Sequence, residues 1–176
     1  MEHQVFVYGT LKQGFRNFHI NHGRRVPGEF ITVQPHALLI VGDYWLPWLL
    51  LQDQAGAAPG EGFRVVEPRG VGQRVVGQLY TVDDAGLAAM DKLEQVDEAG
   101  WYQRRRIAVQ LQVDQDDGQG DGQGEGQGQD GAPVLHPWVY FGSQEGLVAG
   151  GQRGGPVAEY TLAHQELLPR ELWPLG

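Results

Sequence analysis

Val5-Phe6-Val7-Tyr8-Gly9-Thr10-Leu11-Lys12-Gln13-Gly14 is the stretch that decides how this chain is read. β-branched and aromatic residues fill positions 5 to 8, which is the composition of a short strand, and glycines at 9 and 14 bound the segment after it. A strand running into a Gly-bounded loop presents several backbone N–H groups together, a cradle for a small anion or carbonyl. By periodicity alone it is an ordinary strand and turn, so the rest of the chain must say whether the loop carries chemistry.

Further strands are predicted over 30–33, 36–41, 63–66, 74–82, 106–113 and 133–141. One helix stands out. Asp83 can cap it, and Asp84 to Glu94 favours helix despite Gly86. A second, short helix fits Leu162 to Leu168, stopped by Pro169. Many short strands around one main helix predict an α+β fold: a small curved sheet or barrel of mixed strands with the helix packed against it. At 176 residues one domain over 1–176 is the natural count. Residues 114–131 alternate Gly with Gln or an acid and have nothing apolar to bury, so a flexible surface loop is expected there, and a Gly/Pro-rich tail from about 146.

Composition removes several function classes. The chain has no Cys, hence neither disulfide nor thiolate chemistry. Its net charge of -9 argues against nucleic acid as partner, although Asp114, Asp116, Asp117, Asp121, Glu125 and Asp130 supply six of the negative charges and leave the remainder mildly acidic. The acid spacing in that loop does not match a calcium-binding EF-hand. His19 and His22 are three apart, but His-Glu-x-x-His is absent, and solvated loop histidines are preferred to a metal site. Gly9 to Gly14 lacks the Gly-Lys-Ser/Thr ending of a phosphate loop. No apolar run is long enough to span a membrane, and Met1-Glu2-His3-Gln4 has no basic leader, so a cytoplasmic protein is expected. Oligomeric state is not readable.

Leu87, Met90 and Glu94 fall at i, i+3 and i+7 of the main helix and share one face. That face must bury Leu87 and Met90, which carries Glu94 toward the core. Desolvation there would raise its pKa toward neutrality and suit it to taking and giving a proton. A second reading stays open: Glu94 bends out at the helix end, or pairs with Arg104, Arg105 or Arg106.

Several strings in order resemble the γ-glutamyl cyclotransferase-like family. They are Tyr8-Gly9-Thr10-Leu11 with Gly14, then Val75-Val76-Gly77-Gln78-Leu79-Tyr80, then Met90-Asp91-Lys92-Leu93-Glu94, then Trp101-Tyr102-Gln103-Arg104. Leu46-Pro47-Trp48-Leu49-Leu50, and Gly14 followed by Asn17, resemble the γ-glutamylamine cyclotransferase branch. The resemblance covers residues 4 to about 113, and Trp138-Val139-Tyr140 fits a closing strand. Two departures are Gln78, where the pattern often has Glu, and Leu93, where an aromatic is commoner.

The resemblance implies cyclisation of a γ-glutamyl amine or amino acid to 5-oxoproline and a free amine, without cofactor or metal. Glu94 would be the general base and acid. Tyr8, Gly9, Thr10 and Leu11 would hold the glutamyl head, with the missing Cβ of Gly9 letting the ligand approach the backbone. Thr10 would add a hydroxyl or simply cap the turn, and Tyr102 is read equally as pocket wall or core. Trp48 is read as packing ahead of ligand contact, Arg16 and Asn17 as surface loop. A non-catalytic small-ligand-binding module on the same fold is the alternative.

Overall fold

The computed structural model describes residues 1–51, 72–113 and 132–167. Ten strands and three α-helices run in the order β1 (His3–Val7), β2 (Arg24–Arg25), β3 (Phe30–Thr32), β4 (Ala37–Val41), β5 (Leu46–Leu50), β6 (Val76–Val82), α1 (Asp84–Leu93), β7 (Tyr102–Arg106), β8 (Val109–Leu111), β9 (Trp138–Gly142), α2 (Gln144–Gly150), β10 (Gln152–Gly154) and α3 (Leu162–Glu166). The larger sheet has the order β7-β9-β1-β6-β3-β8, with β2 also pairing β6; the smaller is β10-β4-β5. The fold is α+β. Its sheet is mixed, because β1 runs antiparallel to β6 and parallel to β9. Among the described residues the larger sheet is open, ending at β7 and β8, so the barrel half of the sequence expectation does not apply.

Both faces of the central strands are covered. Val5 and Val7 join a core with Leu39, Val41, Tyr80, Leu87 and Met90. Their neighbours Phe6 and Tyr8 join a second core with Leu38, Ile40, Leu49 and Phe141. Successive strand residues point to opposite faces, so a strand buried on both reads as an unbroken apolar run, as β1 and β4 do. Helix α1 caps as expected: Asp83 Oδ1 accepts from Gly86 N at 2.7 Å.

Several boundaries differ from the sequence reading. The predicted strand 106–113 shrinks to β8, which pairs β3, while its first residue, Arg106, ends a strand that the sequence reading did not predict, β7, which pairs β9. Strand β9 begins only after Pro137, which has no N–H for a ladder. The predicted strand 63–66 and the loop 114–131 lie outside the described residues. Residues from 146 are more than a Gly/Pro-rich tail. Ser143 caps α2 by accepting from Gly146 N at 2.9 Å, and β10 pairs β4. Strand β5 escaped sequence reading because it contains Pro47; it is the edge of its sheet, where a missing N–H is tolerated.

β5 also joins the two sheets. Trp48 is buried, packs against Tyr102 with tilted rings at 4.5 Å between centroids, and donates from Nε1 to Ser143 O at 2.9 Å. Its ring leaves no room for a side chain at 142, where an added Cβ would lie 2.1 Å from Nε1. Gly142→Ala is therefore expected to destabilise by about 1–3 kcal/mol, read as a lower urea midpoint at unchanged slope, with part of the loss recovered in a Gly142→Ala, Trp48→Phe double variant. A melt identical to wild type would refute this packing account.

Candidate active site

A cavity of about 390 Å³ opens where the end of β1 meets the end of α1 and the start of β7. Tyr8, Gly9, Thr10, Leu11, Glu94 and Tyr102 all line it. The turn after β1 closes through Lys12 N to Gly9 O at 3.0 Å. Gln78, at the family's common Glu position, braces this loop: its Oε1 accepts from Gln13 N at 2.8 Å and from Tyr80 Oη at 2.9 Å. Among the described residues, the backbone N–H groups of Gly9, Thr10 and Leu11 have no protein acceptor. Three donors in sequence beside a cavity form a cradle of the kind that a strand entering a glycine turn can build.

The two loop glycines serve different needs. Gly14 adopts φ +87°, the left-handed region. At Gly9 a Cβ would lie 2.4 Å from Pro47 Cγ, so the glycine is required first by packing against β5, not by ligand approach alone. Thr10 is buried, and its Oγ1 accepts from Asn17 Nδ2 at 2.9 Å, which makes it a turn cap within the cavity wall.

Glu94 follows the last residue of α1, as its C-cap. Its residue surface is half-buried, yet protein surrounds the carboxyl, and this desolvation pushes its pKa up to about 8. The alternative of an arginine partner is not realised. Arg104 Nη1 instead pairs with Asp91 Oδ2, one turn earlier on α1, and Asp91 Oδ1 accepts from Tyr140 Oη at 2.8 Å. Tyr8 Oη donates to Tyr140 O at 2.7 Å, and Tyr102 Oη to Pro47 O at 2.8 Å. Burial, with the nearby Glu94 carboxyl as a lesser cause, raises the pKa of Tyr8 and Tyr102 well above the usual phenol range. These hydroxyls are committed donors, and Tyr102 is both core and cavity wall.

Ten further residues line the cavity, among them Arg16, Asn17, Pro47 and Tyr140, which the sequence reading did not place in the site. Arg16 and Asn17 read as surface loop in the sequence; both are half-buried and face the cavity. Trp48, by contrast, packs as expected and does not line it. Asp91 was detectable in principle, since it lies three residues before Glu94 and shares its side of the helix. His19 stays exposed, with Nδ1 3.0 Å from Arg16 O.

Fold and site together define an α+β scaffold with a small, partly polar cavity at the end of β1. The chain belongs to the gamma-glutamyl cyclotransferase, AIG2-like family, whose model matches residues 5–145. It is 35% identical over 155 residues to gamma-glutamylaminecyclotransferase of Mus musculus, an alignment covering 85% of this chain and 92% of the mouse protein. The Homo sapiens protein of that name is 36% identical over 121 residues, 65% of this chain and 66% of that one. Gamma-glutamylaminecyclotransferase B of Danio rerio is 37% identical over 112 residues, 61% of this chain and about half, 49%, of that protein's length. The crystal structure of an AIG2-like protein from Mus musculus superposes with a TM-score of 0.56 at 26% identity, covering 91% of this chain and 88% of that one.

An acid whose folded pKa lies above its unfolded value stabilises the fold fully below the unfolded pKa and loses that contribution as pH rises through the folded one. For Glu94 the window runs from the ordinary 4.5 up to about 8. Glu94→Gln should therefore unfold at a higher temperature than wild type at pH 8, with the advantage shrinking steadily toward pH 4.5. Thermal melts across that range test this, and a constant difference would show that Glu94 is not desolvated.

Proposed function

We propose that the chain cyclises a γ-glutamyl amine or γ-glutamyl amino acid to 5-oxoproline and the free amine, with Glu94 as general base and then general acid. One observation carries the reading: a desolvated carboxyl without an ion-pair partner among the described residues lines the same cavity as the unbonded amides of Gly9, Thr10 and Leu11. Family membership and the names of the relatives support the same chemistry.

The reaction is internal to the substrate. Its α-amine nitrogen attacks its own γ-carbonyl carbon, a five-membered lactam forms, and the old amide C–N bond breaks. The substrate arrives with an ammonium, which is not a nucleophile until it loses a proton. An ammonium beside Glu94 supplies a counter-charge and pulls the carboxyl back toward its ionised form. Glu94 then accepts that proton and returns it to the departing nitrogen; the attacking nitrogen loses a second proton as the ring closes, relayed by the same carboxyl, so the α-nitrogen ends as the lactam N–H, the amine leaves as its ammonium, and the net proton count is unchanged. A carboxyl tuned near 8 suits both halves of this exchange, whereas one at its ordinary value would be a poor acid at neutral pH.

The amides of residues 9–11 would hold the glutamyl head and receive the negative charge that develops on the carbonyl oxygen. Holding amine and carbonyl in attack geometry is worth on the order of 7–11 kcal/mol, so no protein nucleophile is needed. Tyr8 and Tyr102, fixed by their hydrogen bonds, keep the walls rigid around the reacting atoms.

Two measurements test the assignment. Glu94→Gln should lower 5-oxoproline release from γ-glutamyl amines by roughly 10²–10⁴-fold while the fold is retained; full activity would eliminate the mechanism. In wild type, kcat/KM for such a substrate should rise with pH as Glu94 ionises near 8 in the free protein. Ligand binding without 5-oxoproline release across a panel of γ-glutamyl amines would favour the non-catalytic module.

A further inference from the structure

Arg16 is the cavity feature that cyclisation leaves unused. It is the one cationic side chain among the cavity-lining residues. Among the described residues no carboxylate lies within ion-pair distance of it. Its guanidinium makes one long hydrogen bond, from Nη2 to Tyr44 O at 3.4 Å. Its backbone is held firmly. Arg16 N donates to Oε1 of the buried Gln165 on α3 at 2.8 Å, and Asn17 N donates to Thr10 O at 3.0 Å.

A guanidinium beside a cavity with no counter-charge among the described residues suits an oxyanion, because its planar fork of donors matches a carboxylate. Glu94 is the one acid lining the cavity, and it is pushed toward its neutral form at pH 7. The lining is thus net positive where a ligand enters.

Position decides which part of the ligand brings the anion. Tyr44, to which Arg16 is bonded, is half exposed, and so marks the cavity mouth. In the cyclotransferase reading the glutamyl head is held by the amides of residues 9–11, on the chain segment between β1 and the turn. What extends from the scissile amide toward the mouth is the leaving amine, passing the apolar walls of Leu46 and Trp101. We infer that Arg16 is a specificity residue that selects leaving amines carrying a carboxylate, so that γ-glutamyl amino acids are preferred over γ-glutamyl alkylamines. The inference rests on the cyclotransferase reading and adds a substrate class to it.

The test compares matched pairs differing only in the terminal carboxylate: γ-glutamyl-β-alanine with γ-glutamyl-propylamine, and γ-glutamyl-6-aminohexanoate with γ-glutamyl-hexylamine. Wild type should favour the carboxylated member of at least one pair by roughly 10- to 100-fold in kcat/KM, the worth of a charged hydrogen bond. Arg16→Gln should bring that ratio close to one, and Arg16→Lys should keep part of it. A ratio is insensitive to partial misfolding of a variant. A wild-type ratio near one overturns the inference while leaving cyclisation intact. An Arg16→Gln variant that slows both members equally and preserves the ratio also overturns it, and assigns Arg16 to the glutamyl head. If wild type cyclises neither member of either pair, the cyclotransferase reading itself fails and this inference falls with it.

Discussion

Withdrawing a carboxyl group from water without giving it a cation is costly, and the arrangement around the cavity depends on that cost being borne at Glu94. Arg104 on β7 is taken by Asp91, one turn earlier on the same helix. Asp91 also accepts from Tyr140, so the arginine, the aspartate and the tyrosine satisfy one another behind the cavity. Glu94 is left with protein around it and no opposite charge among the described residues, and this desolvation pushes its pKa up to about 8. Were Arg104 free to reach it, the carboxyl would be an ordinary salt-bridged acid, ionised at all working pH and unable to return a proton.

Strand β5 supplies the mechanical counterpart. Pro47 meets Gly9 across the cavity wall and accepts from Tyr102 through its carbonyl; Trp48 fills the space between Tyr102, Gly142 and the first turn of α2. An edge strand can carry proline and can therefore set a rigid, donor-free surface against the loop. The same two residues thus fix the loop, the tyrosine and the helix after β9. Rigidity at this point holds the three amides in place beside the cavity, and donors fixed in advance lose little on binding.

Legibility depended on distance along the chain. The spacing of Leu87, Met90 and Glu94 was enough to carry the carboxyl toward the core, because a helix repeats its faces every few residues. That Glu94 has no arginine partner was not readable, since it depends on which acid of α1 meets Arg104 across two elements. Arg16 looked like surface loop for the same reason: Gln165, which fixes its backbone, lies 149 residues later. Helix α2 carried a usable signal in its Ser143 cap, masked by the glycines that Trp48 demands.

By itself the sequence determined the strand β1 with its glycine turn, the capped helix α1, the α+β class and the family. Each of these rests on neighbours a few residues apart, or on ordered strings that need no partner to be recognised. Tertiary structure alone decided that the sheet stays open among the described residues, that Gly9 answers to Pro47, that Gln78 braces the loop, and that Arg16 and Glu94 share one cavity. Desolvation and charge pairing are set by whatever groups surround an atom in space, and those groups come from segments remote in sequence.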